Sequence, residues 1–168
     1  IGGLAVPVVR LRNAASDAHD QQLLVDSLNL QVERINALDW KVQALGFVGE
    51  DVKSQFGTYR TVGEYASSGI IDNPDIQAAD LPGLFAAYTG SVGAEFERID
   101  SGERPSPAEH EQAYHAPGYT SLRSTVADVS QRARHVAEQR DHDAGLSTFG
   151  LLGLILLLAT GGAIFMLR

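Results

Sequence analysis

The sequence predicts an all-α protein: an antiparallel up-down helical bundle that continues into a C-terminal transmembrane helix. Three observations carry this. Apolar residues recur at a 3.5- to 3.6-residue period over long stretches, and nowhere do they alternate as a half-buried strand requires. Glycine, proline and asparagine collect between those stretches, where helices must stop. Finally, Ala144–Leu167 is a run of 24 residues without a charge, followed by Arg168.

The first periodic stretch is Leu24–Tyr59. One heptad position holds Leu28, Ile35, Val42, Gly49 and Phe56; the other holds Leu24, Gln31, Leu38, Leu45, Val52 and Tyr59. Such a repeat means helix packed on helix at a shallow angle. A break follows at Ser67–Asp75, where Asn73 precedes Pro74 and is pushed toward extended geometry. The next helix runs from about Asp75, or from Pro82, to Ile99, with Leu81, Leu84, Phe85, Tyr88, Val92, Phe96 and Ile99 on its apolar face. A second break is Asp100–Pro107. Ser106, Pro107 and Glu109 there form a capping box with proline at the first helical position. The last helix carries Tyr119, Leu122, Val126, Val129, Ala133 and Val136, and becomes firm at Tyr119, after Pro117 and Gly118.

The charge-free run is long enough to cross a membrane. At 1.5 Å rise per residue, roughly 20 apolar residues span a ~30 Å hydrocarbon core. At the other end, Ile1–Val9 is uncharged and precedes Arg10 and Arg12. Residues 1–12 therefore read as the end of a truncated first transmembrane helix, 13–143 as a helical-bundle domain, and 144–168 as a transmembrane helix. If both ends of residues 13–143 sit at one membrane surface, the long helices between them must be even in number. Four helices follow if the chain reverses at Gly46–Gly49. Three follow if Leu24–Tyr59 is continuous, as the unslipped heptad phase favours, and the N-terminal stub is no membrane helix.

Composition excludes several functions. Residues 13–143 contain all 21 acidic residues and 10 of the 13 basic ones. So acidic a domain lacks the basic face that nucleic acid requires. Without cysteine, there is no disulfide, thiol catalysis or thiolate metal site.

No motif points to catalysis. His110 and His115 of "HEQAYH" are five residues apart, about 140° around a helix, and cannot share one metal from a regular helix as zincin histidines do. They read as surface histidines, as do His19, His135 and His142. Thr89–Gly93 lacks the glycine of a nucleophile elbow. The acidic pairs Glu50–Asp51, Glu95–Glu97 and Glu109–Glu111 read as solvated helix faces. With no clustered ligands and no haem-attachment motif, no cofactor, metal site or catalytic residue is expected. Trp40 and Phe47 are seven apart and opposite the apolar stripe, which suggests a second packing surface, either a bundle neighbour or a dimer partner, or else bundle core. Arg34 and Lys41, also seven apart, could hold an anion or pair with Glu33 or Asp39.

The layout of the stub Ile1–Val9, about 130 helical residues, a last helix Tyr119–Asp143 and the apolar segment Leu146–Leu167 resembles the extracytoplasmic sensor region of bacterial transmembrane receptors. These are methyl-accepting chemotaxis proteins, sensor histidine kinases and membrane-bound diguanylate cyclases. The resemblance implies a signal-sensing module in the bacterial cytoplasmic membrane, with residues 13–143 extracytoplasmic. It implies a homodimer that responds to a small-molecule ligand or a binding-protein partner by displacing its last helix toward a cytoplasmic output domain. By position, it also implies a ligand site from Arg34 and Lys41 with Tyr119, Thr120 and Arg123. The arginine cluster of aspartate-type receptors is missing. The other reading is a tail-anchored protein whose acidic helical domain is a structural or interaction module.

Overall fold

The computed structural model describes the backbone of residues 5–70, 80–111 and 116–166, and the side chains of 16–70, 80–111 and 118–143. Among the described residues there are helices and no strands: α1 (Ala5–Leu45), α2 (Glu50–Ile70), α3 (Leu81–Asp100), the one-turn α4 (Pro107–Glu109) and α5 (Ala116–Met166). The chain divides into two compact units, Gln21–Ala133 and Ile1–Asp20 with Arg134–Arg168. α1 and α5 each contribute to both.

The reversal at Gly46–Gly49 is present. Gly46 takes φ 69°, a left-handed conformation that a side chain resists, and its N–H is donated to the Val42 carbonyl at 2.8 Å. Gly49 then accepts from the amides of Val52 and Lys53 to open α2. The heptad phase ran through this turn because Val52 and Phe56 of α2 resume it by register, although the chain has changed direction.

Contacts show the consequence. Gln21, Arg34 and Lys41 of α1 meet Gly69, Tyr59 and Asp51 of α2, so partners descend one helix as they climb the other. The same holds for α2 and α3: Lys53 bonds Asp100 at 3.0 Å, Phe56 packs on Phe96, and Phe85 lies against Gly63. Both pairs are antiparallel.

The core of the Gln21–Ala133 unit draws on all four long helices. Val25, Leu28, Val32, Ile35, Leu38 and Val42 of α1 meet Val52, Ala66 and Ile70 of α2, Leu81 to Ile99 of α3, and Tyr119, Leu122, Val126, Val129 and Ala133 of α5. The expected apolar faces of the last two long helices are therefore the buried ones, with Leu84 and Val136 half-buried. Each fully buried large side chain contributes about 1.5–3 kcal/mol.

Two boundaries differ from expectation. α2 continues through Ser67 to Ile70, because Ile70 is fully buried and the Ser67 hydroxyl donates to the Glu64 carbonyl, so serine costs the helix little. α3 begins at Leu81, capped by Asp80, whose carboxylate accepts from the Gly83 amide at 3.2 Å; residues 75–79 lie outside the described ones. Ser106 caps α4 as its spacing predicts: its hydroxyl accepts from the Glu109 amide, and its amide donates to the Glu109 carboxylate at 2.7 Å. That bond from the Ser106 backbone holds the Glu109 carboxyl below the ordinary range.

α5 has a continuous helical backbone to Met166, but its side chains are described only to Asp143. Among the described residues no helix is long and apolar enough to cross a membrane. The expected membrane helix, residues 144–168, lies outside those with described side chains, as does the stub 1–12.

The Gly63–Phe85 approach is the most restrictive contact in the core: a Cβ at 63 would overlap the ring. Gly63→Ala is expected to lose about 1–3 kcal/mol of stability in urea unfolding, although alanine is the better helix former. Unchanged stability would mean that the ring is not seated there.

Candidate buried acid–histidine site

Three ionisable side chains meet inside the Gln21–Ala133 unit. Asp39 comes from α1, Glu95 from α3, and His110 from the end of α4. They are 1%, 0% and 0% exposed, and one ligand-capable atom from each lies within 4.8 Å of the others.

Helical register delivers the two acids. Asp39 follows Val25 and Val32 at seven-residue steps along a buried row of α1, and Glu95 follows Leu81 and Tyr88 along a buried row of α3. His110 is placed by the capping box, since its amide donates to the Ser106 carbonyl at 2.9 Å, one turn after the cap. The loop before that cap is tied back to α1, where the Gln43 side-chain amide donates to the Pro105 carbonyl at 2.9 Å. Trp40 stands edge-on to the His110 ring, with centroids 4.7 Å apart, and covers it from the α1 side.

The imidazole contacts both carboxylates. Its Nδ1 is 2.7 and 2.9 Å from the two Glu95 oxygens, and its Nε2 is 3.6 Å from Asp39 Oδ2. The short contacts make Nδ1–H the donor to Glu95. The longer one is outside hydrogen-bond range. Neither Asp39 oxygen has a well-formed hydrogen-bond partner among the described residues, nor does the hydroxyl of buried Tyr88. Burial, and then the facing charge of Glu95, push the Asp39 carboxyl up to about 8, and Glu95 stands close enough to share the retained proton. Tyr88 is raised by its own burial and then by the Asp39 charge.

This corrects two expectations. His110 is not a surface histidine, and Glu95 does not lie on a solvated face. Core register outweighed the polar character of their neighbours. The other described members of the acidic pairs, Glu50, Asp51, Glu97, Glu109 and Glu111, are exposed, and so are His19, His135 and His142. His115 lies outside the described residues. No ligand cluster is visible along the sequence, yet the fold assembles one from residues 39, 95 and 110. The available signal was an acid at a position where the preceding heptads place valine, leucine and tyrosine.

The residues expected to hold a ligand are distributed differently. Arg34 stacks over the Tyr59 ring, 5.2 Å from its centroid, and Lys41 pairs with Asp51 at 3.5 Å; both partners are on α2. Neither basic residue pairs with Glu33 or Asp39 in these contacts. Tyr119 and Arg123 are brought together by Glu33, which accepts the Tyr119 hydroxyl at 3.1 Å and lies 3.4 Å from the Arg123 guanidinium. Thr120 is exposed. An acid thus occupies the place where an anion was expected. Trp40 and Phe47 are 41% and 58% exposed, and Trp40 also packs against the buried His110 ring.

The Asp39 carboxyl has a stated pH consequence. Its proton affinity is higher in the folded than in the unfolded chain, so its contribution is fully present below about pH 4 and is lost as pH rises toward about 8. Asp39→Asn removes the titration and keeps the shape. In chelator-containing buffer its stability relative to wild type is expected to grow between pH 6 and 8, by at most about 1.4 kcal/mol per pH unit. A difference independent of pH in urea titrations would contradict the buried charge.

Comparison of the chain with protein-family models, with curated proteins and with solved structures gives no match.

Proposed function

We propose that this chain is the sensing part of a bacterial transmembrane receptor, without catalysis of its own. On this reading residues 13–143 lie outside the cytoplasmic membrane and residues 144–168 cross it. The observation that carries the reading is the continuity of α5. One helix of 51 residues bears Tyr119, Leu122, Val126, Val129 and Ala133 in the core and then runs into the charge-free segment. A helix packed at one end and apolar at the other transmits a displacement along its axis, because hydrogen bonds along the backbone resist compression. A tail-anchored interaction module would not need that helix to be unbroken.

The outer face of α1 supports a second copy as partner. Leu23, Leu30, Trp40 and Leu45 of α1, with Phe47 in the turn after it, are exposed, more large apolar surface than a helix needs when it faces only water. A homodimer joined there would cover them.

Topology provides the test. The chain has no cysteine, so Ser124→Cys, on the exposed side of α5, is a unique label site. With this change at the gene's own locus, a membrane-impermeant maleimide is expected to label intact cells, and the protein to stay with membranes in alkaline carbonate. Labelling only after lysis, or release by carbonate, would refute the reading. For the partner, Phe47→Asp is expected to weaken self-association in detergent at least tenfold, about 1.4 kcal/mol, by analytical ultracentrifugation. A monomeric wild type would remove the homodimer.

A further inference from the structure

Two carboxylates and one imidazole in a core are more than a helical bundle needs for stability. Asp39 faces His110 Nε2 at 3.6 Å, and both side chains are buried. Two ionised acids buried beside a neutral imidazole are prohibitively costly. Either a proton is retained or a cation enters.

The geometry suits a cation. Ligands about 2.1 Å from a tetrahedral metal are separated by roughly 3.4 Å. His110 Nε2 and Asp39 Oδ2 are 3.6 Å apart, too long for a hydrogen bond and close to the spacing of two donors on one ion. At Nδ1, Glu95 accepts from the N–H through both oxygens, at 2.7 and 2.9 Å. A carboxylate that holds one imidazole nitrogen while the other faces a metal is the usual support for a histidine ligand, because it sets the tautomer and raises ligand basicity. Among the described residues neither Asp39 oxygen has a well-formed hydrogen bond, at 1% exposure, and the buried Tyr88 hydroxyl has none either.

We propose that Asp39 and His110 ligate one divalent transition-metal cation of the zinc class inside the helical core, with Glu95 as the positioning residue that orients the imidazole. Mixed nitrogen and oxygen donors select this class. Magnesium and calcium want oxygen alone, and the soft thiolate sites of copper(I) need the cysteine this chain lacks. The ion neutralises both acids and joins α1 to α4, while Glu95 brings in α3. With every donor buried, the ion is held through the lifetime of the fold and loads only when the unit opens. The inference does not depend on the membrane reading.

The test uses the full chain in detergent, stripped with chelator. His135→Ala and His142→Ala are included, because those exposed histidines with Glu138 could capture zinc on the surface of α5. In this parent, Zn2+ is expected to bind at one equivalent by calorimetry and to raise the thermal midpoint, and Co2+ to give the visible bands of a tetrahedral site. Asp39→Asn, which keeps the shape of the side chain, is expected to lose at least about 100-fold in affinity while its far-UV circular dichroism is unchanged. Glu95→Gln is expected to keep the Co2+ bands and lose about 10- to 100-fold. Absence of saturation at one equivalent in the parent would overturn the site. So would an Asp39→Asn variant that binds Zn2+ as the parent does.

Discussion

The structure is organised around a charge that the core has to tolerate. Asp39, His110 and Glu95 come from three elements and meet fully buried in the core. Each of these elements is then fixed more tightly than apolar packing would fix it. Hydrophobic burial tolerates small slips of one helix along another, whereas an imidazole bonded through Nδ1 to Glu95 does not. α3 and the turn that carries His110 are therefore locked in register. Since Nε2 faces Asp39, that register extends to α1.

The short connection between α3 and α4 follows from the same demand. A helix running on from α3 would carry His110 away from the core. The chain instead stops at Asp100, turns through Gly102 at φ 94°, and starts again at Ser106. Arg98 and Glu103 close the turn at 2.7 Å, and Gln43 holds Pro105 from α1. A three-residue helix has little stability of its own. It persists because the capping box satisfies its first amides and because His110, just beyond it, is anchored in the core.

The sequence made some of this legible and concealed the rest for a physical reason. Leu28, Ile35 and Val42 announce a helix face because the 3.5-residue period is written in neighbouring residues. Gly46 and the Ser106–Glu109 box are likewise local, and each does what its spacing implies. Asp39 and Glu95 also sit at core positions of that period, but an acid is ordinarily a surface residue, and one dimension does not show its partner. His110 carries no periodic signal at all. Its burial depends on a contact with Glu95, 15 residues away, and another with Asp39 on a different helix. The basic residues of α1 teach the converse. Arg34 and Lys41 suggest an anion site while α2 is ignored; once the chain folds back, Tyr59 and Asp51 occupy them.

The cluster also has a physical route to α5. The Asp39 charge acts on the Tyr88 hydroxyl, and the Tyr88 ring lies 5.8 Å from that of Tyr119, which opens the buried face of α5. Tyr119 in turn donates to Glu33, and Glu33 reaches Arg123 one turn further along α5. A change of charge at Asp39, whether by a proton or by a cation, alters the field at the Tyr88 hydroxyl and so the packing of the two tyrosine rings. Packed rings move between discrete positions rather than by continuous deformation. On the proposed reading α5 is the output element, and the residue through which the core acts on it is Tyr119. Its hydroxyl and its ring would then have separable roles: the hydroxyl holds α1 through Glu33, and the ring registers what happens next to Asp39.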